Sequence, residues 1–145
     1  MPGEGLLDAL AQTSFAMMAI LHRVAAEHDL SLTQLRVGGI LRDRRLRMAE
    51  LAGYLGLEKS TMTGLVERAE ARGIMARASN PDDGRVIEVF LTRDGLKLAE
   101  RVRGQIQKAL APLTDRLDAA DRRRLQESLE RMLAAQSDAG GARKS

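Results

Sequence analysis

Residues 58–73, "EKSTMTGLVERAEARG", carry polar side chains at helical spacing. Met62, Leu65, Val66 and Ala69 make an inward stripe, which leaves Lys59, Ser60, Thr61, Thr63, Gly64, Glu67 and Arg68 facing outward. The first turn of that face is short, polar and uncluttered. Its free N–H groups and dipole suit phosphate, and serine and threonine can touch phosphates or base edges. A plainer role for Ser60 is to cap its own helix. Gly64 leaves room but offers no hydrogen bond, so direct base readout there is modest. A second constellation lies downstream at Asp82, Asp83, Gly84 and Arg85. Two carboxylates would be out of place against a polyanion unless one orients the arginine. Asp83 and Arg85 are two residues apart across a turn, where an ion pair can do that. An arginine so held suits a narrow minor groove; the alternative is an ordinary solvated turn.

These residues need a frame. Ala52 is followed by Gly56, then Met62, then Leu65, which is the spacing of a helix-turn-helix. Ala52 lets two helices cross closely, Gly56 supplies the positive φ of the turn, and Leu55 and Leu57 anchor it. "IMARAS" (74–79) and "VIEVFL" (86–91) are strand candidates separated by "NPDDGR", so a hairpin follows the second helix directly. A helix-turn-helix with such a hairpin is a winged helix.

The rest of the chain is helical in pattern. Leu7, Leu10, Ser14, Met17, Leu21, Val24 and His28 form a heptad seam over roughly 5–28. A helix over about 32–43 has Ser31 or Thr33 as its cap. Gly38-Gly39 inside it either weakens it or admits a close neighbour. Arg44 to Arg47 reads as a connection, and a short helix follows over 48–55. Gly73 ends the helix after the turn as a left-handed cap. Thr92 caps a helix carrying Ala99, Val102, Ile106, Ala109 and Leu113, which Pro112 bends or ends. A last helix, about 118–136, starts near Asp118 or Asp121 and carries Leu125, Leu129, Met132 and Leu133. "SDAGGARKS" reads as a disordered polar tail.

Fold class is therefore mainly α with a small β-hairpin wing. The expected division is 1–30 as an N-terminal dimerisation helix, 31–92 as the DNA-binding lobe, 93–136 as C-terminal dimerisation helices and 137–145 as the tail. Apolar seams at both ends predict pairing with a second copy.

Charge points the same way. The chain has 145 residues and a net charge of +3, and all of the excess lies between Arg36 and Arg85. A local basic excess suits a polyanion; a mixed-charge solvated surface is the alternative. With no cysteine there are no disulfides, thiolate metal sites or thiol sensing, which fits a cytoplasmic protein. No apolar run reaches membrane-spanning length and no signal peptide is evident. Neither a Gly-rich phosphate loop nor a Ser-His-acid order is present, so an enzyme is not expected. His22 and His28 lie six apart, off the spacing that shares a helix face, so no metal is expected. His28 is better placed to interact with the end of its helix. No cofactor is expected.

The chain resembles the MarR-type winged-helix transcription regulators from about Leu6 to Leu133. Three stretches carry the resemblance: "NPDDGRVIEVFLTRDG", with Asp83, Arg85, Leu91, Thr92 and Gly95 at the positions of the family's wing signature; "LTQLRVGGIL" (32–41); and "MAELAGYLGLEKSTMTGLVERAEARGIMAR". The resemblance implies a homodimer held by its terminal helices. Recognition helices would lie in successive major grooves of a pseudo-palindromic operator, with wing arginines, here Arg85 beside Asp83, in the flanking minor grooves. It also implies repression, and release by a small aromatic, phenolic or carboxylate effector. The cleft would be lined by Met17, Met18, Leu21, His22, Arg23 and Leu35. Methionines adapt to an aromatic guest, and His22 or Arg23 can pair with a carboxylate; the plainer reading is core methionines and solvated charges. Many relatives have a basic residue where Gly84 stands, and some an arginine where Gly64 stands. The competing function is a non-specific architectural DNA binder or a winged helix used for protein contacts.

Overall fold

Thr92 and Gly95 mark the junction that organises the molecule. In the computed structural model, which describes residues 3–142 (side chains through 135), the order is α1 (Glu4–Glu27), α2 (Leu32–Ile40), a 3-10 turn (Leu41–Asp43), β1 (Leu46–Arg47), α3 (Met48–Leu55), α4 (Lys59–Ala71), β2 (Met75–Ser79), β3 (Ile87–Leu91), α5 (Arg93–Thr114) and α6 (Ala119–Ala142). The chain divides into two compact units, one ending at Gln107 and one beginning at Lys108.

In the first unit, Ser31 is the cap of α2. Its hydroxyl accepts from Gln34 N (3.1 Å) while Gln34 Oε1 accepts from Ser31 N (2.8 Å). The helix ends at Ile40 and tightens into the 3-10 turn, short of the expected 43. Close packing is not why Gly38 and Gly39 are there, since a Cβ on either would meet nothing within 4 Å.

The hairpin is part of a three-stranded antiparallel sheet of order β1-β3-β2. The segment read as a connection supplies β1, with Leu46 opposite Val89 and Arg47 opposite Glu88. Met75 lies opposite Leu91 and Arg77 opposite Val89. Met75, Val89, Leu91 and Leu46 are buried and face the helices. Ala76 and Ala78 instead share the outer face with Phe90 and Glu88, being paired with them across the ladder. The core runs between this face and α2–α4, where Val37, Leu51, Met62, Val66 and Val89 are fully enclosed. Each such side chain contributes about 1.5–3 kcal/mol by burial.

The junction closes this unit. Thr92 N donates to Ile74 O (3.1 Å). Thr92 Oγ1 donates to Gly73 O (2.6 Å) and accepts from Gly95 N (3.1 Å). Gly73, at φ 75°, is the left-handed turn after α4. A Cβ built on Gly95 would lie 1.9 Å from Ile74 O, so the two backbones meet where only glycine fits.

The second unit holds the end of α5, with Pro112 in its last turns, and α6. Asp118 Oδ1 accepts from Asp121 N (2.8 Å) and starts α6. The helix runs to Ala142, past the expected end near 136 and into the stretch read as a tail. Once a helix is nucleated each further residue adds a bond, and the glycines cost only about 1 kcal/mol each. Residues 143–145 of that expected tail lie outside the described residues. Among the described residues no helix is long and apolar enough to cross a membrane.

Gly95→Ala should destabilise the protein by about 3 kcal/mol or more, because the opposing atom is backbone and cannot swing away. Urea unfolding curves with an unchanged midpoint would refute this close approach.

Candidate nucleic-acid interface

The helix-turn-helix is α3, a turn and α4. Gly56 adopts φ 65°, ψ 31°, and Leu57 N returns to Ala52 O (3.0 Å). Glu50 opens α3 by accepting from the Arg47 backbone N–H (3.1 Å) and from Arg47 Nε (3.0 Å). Half-buried Leu55 and Leu57 pack against the core, as their spacing predicts.

Glu58, in extended conformation, precedes α4 and makes no side-chain cap. Helix start therefore falls one residue before Ser60, and Ser60 caps nothing. The first helical bond is from Met62 N to Glu58 O (3.1 Å). It follows that the N–H groups of Lys59, Ser60 and Thr61 precede any intrahelical acceptor, and no acidic side chain lies in that turn. Met62, Leu65, Val66 and Ala69 are buried. Lys59, Ser60, Thr61 and Arg68 are exposed, Thr63 and Gly64 half-buried. Thr63 Oγ1 donates to Lys59 O (2.9 Å), so its methyl and remaining lone pair are what it can present. Arg68 folds back over Gly64, with Nη1 3.4 Å from where a Cβ would sit.

The wing tip is built by side chain–backbone bonds. Asn80 Oδ1 accepts from Asp82 N (2.8 Å) and Asp83 N (3.3 Å), and Asn80 N donates to Val86 O (2.7 Å). Asp83 Oδ1 then accepts from Arg85 N (3.1 Å) and Arg85 Nε (3.2 Å). The Arg85 side chain is 92% exposed, so this pair adds little stability but orients the guanidinium. Gly84 sits in open space with no positive φ. The wing is fastened to α4 by Arg77 Nη2 and Glu70 Oε1 at 2.9 Å.

The sheet edge adds two cations that the sequence reading missed. Arg45 lies over the Phe90 ring, 4.0 Å from its centre, and Arg47 stands opposite Glu88 on the strand leading from the wing. The alternation Arg45-Leu46-Arg47 around one buried leucine was the available signal.

Of the effector-cleft residues, Met17, Leu21 and Leu35 are half-buried while Met18, His22 and Arg23 are exposed. Met17, Met18, Leu21, His22 and Arg23 span two turns of α1, and Leu35 lies on α2, which packs against it. His28 is not free: its Nε2 donates to Gln105 Oε1 (2.7 Å).

A family model described as the MarR family matches residues 30–87, from just before α2 to the first residue of β3. The homoprotocatechuate degradative operon repressor of Escherichia coli is 26% identical over 132 residues, which cover 90% of this chain and 89% of that protein. A crystal structure of NadR in complex with 4-hydroxyphenylacetate superposes with a TM-score of 0.73 at 22% identity, covering 86% of this chain and 89% of that one. BpsR of Bordetella bronchiseptica, whose DNA binding is regulated by 6-hydroxynicotinic acid, superposes with a TM-score of 0.68 at 24% identity, covering 91% and 95%.

Gly64→Ala should raise stability by about 0.5–1 kcal/mol, since a helix-interior glycine is replaced where the added methyl meets only ordinary contact. A lower melting temperature would contradict the open geometry at this position.

Proposed function

This chain belongs to the MarR family of winged-helix transcription regulators, and from that premise we propose how it engages DNA and what releases it. It is a DNA-binding regulator and not an enzyme. In the proposed complex two copies straddle a pseudo-palindromic operator. The first turn of α4 enters the major groove, where Lys59, Ser60, Thr61 and Thr63 meet phosphates and base edges. Gly64 gives close approach, and Arg68 lies along the same face. Arg85 enters the minor groove with Asp83 holding its guanidinium. The single observation that carries this reading is Arg85: a cation at a hairpin tip, oriented by one neighbouring carboxylate and otherwise open to solvent.

Pairing is supported by apolar side chains left in water. Phe15 on α1 is 78% exposed, and Leu6, Leu7 and Met18 accompany it. On α6, Leu125, Leu129, Met132 and Leu133 recur at helical spacing and are all exposed. Such stripes mark protein contacts, and a second copy is the partner whose stripes match.

For the effector, the aromatic acids named with the similar proteins support a small hydroxylated aromatic carboxylate. Met17, Met18, Leu21 and Leu35 supply its apolar wall. His22 and Arg23, which hold no acceptor among the described residues, receive its carboxylate. Repression with release by such a ligand is the mode of action this arrangement favours.

Light scattering should give a dimer mass, and footprints should show two half-sites about one helical turn apart. Arg85→Ala should weaken operator binding by roughly 1–3 kcal/mol in anisotropy titrations; equal affinities would remove its role. Steep salt dependence with no sequence discrimination would favour an architectural binder, and no DNA binding a protein-contact module. Gly84→Arg should tighten binding and steepen its salt dependence by about one counterion. An unchanged slope would mean that the wing tip does not approach phosphate.

A further inference from the structure

Arg72 is the residue on which α4 ends, and its guanidinium reaches far back along the chain. Nη1 donates to Asp29 O and Nη2 to His28 O, both at 3.0 Å. These carbonyls belong to the cap residue of α1 and to the residue after it, beside the negative end of its dipole. Two donors in one rigid plane match two successive carbonyls, a fit that lysine cannot reproduce. Asp29 itself holds φ 54°, the one non-glycine residue with positive φ among those described. At the same turn the His28 ring is bound to Gln105 of α5. The apolar core that carries α4 contains no buried residue of α1, so this fork is a direct tie between the two helices.

We propose that Arg72 is a positioning residue for operator spacing. The fork fixes α4, which reads DNA, against α1, whose exposed apolar side chains meet the second copy. It thereby sets the separation of the two recognition helices. This rests on the reading above, that two copies bind duplex DNA.

The test begins with selection of duplexes from a random pool by the full-length wild-type protein, followed by binding to the selected site with one or two base pairs inserted between half-sites. Wild type should lose about tenfold or more on insertion. Arg72→Gln should lose about threefold or less, while its affinity for a duplex carrying one half-site stays within about twofold of wild type. A wild-type insertion penalty in the variant overturns the proposal. So does an equal loss on the single half-site, which would make Arg72 a DNA contact or a general stability residue. Should Arg72→Gln fail to fold, Arg72→Lys decides in the same assay: it keeps the charge and loses the fork, and its penalty should fall between the two. If the wild-type protein enriches no duplex, the DNA-binding reading fails first and this inference with it.

Discussion

The backbone of Gly95 lies against the carbonyl of Ile74 with no space for a Cβ, and the placement of α4, the hairpin and α5 depends on that approach. Ile74 follows the left-handed turn that ends α4, and Gly95 lies in the first turn of α5. Thr92 stitches the same point with its backbone N–H and its hydroxyl. One crowded contact therefore fixes where α4 stops, where the last strand stops and where the next long helix starts. The wing is a consequence. Its strands leave and return through this junction, and Arg77 on β2 holds Glu70 on α4, so the hairpin keeps a set direction relative to the helix beside it.

Electrostatics in this molecule orient more than they stabilise. Among the described residues no ionisable group is buried, and the ion pairs are at or near the surface. Exposed pairs of this kind contribute about 0–1 kcal/mol. Asp83 illustrates the alternative use of a carboxylate. It takes one bond from the Arg85 backbone and one from its side chain, so a negative residue serves to aim a cation at the wing tip. Glu50 does the same for Arg47 at the start of α3.

Features set by near neighbours were legible in the sequence. Gly56 had to take positive φ, Thr92 had to cap, and Asp83 had to reach Arg85, because each depends on residues within a few positions. The inward stripe of α4 was equally plain, since four apolar residues allow one burial face. Non-local features were hidden. β1 is two residues long and exists only because Val89 and Glu88 lie beside it. Alanine at 76 and 78 fits either face of a sheet, so neither residue marks which side is buried. The Arg72 fork spans 43 and 44 residues, and nothing at either end advertises the other. The end of α6 at Ala142 was not legible, because the small and polar residues at 137–142 continue no apolar period.

The arginine draped over a bare backbone position in α4 bears on how such proteins diversify. At most sites in a helix proposed to touch DNA, as α4 is, a new side chain must displace an old one or repack the interior. Position 64 carries nothing to displace, and the guanidinium above it is a mobile end that can swing aside. A duplicated gene could change its preferred target there by a single codon while its folding energy stayed the same or improved, so new binding preference need not trade against a sound scaffold.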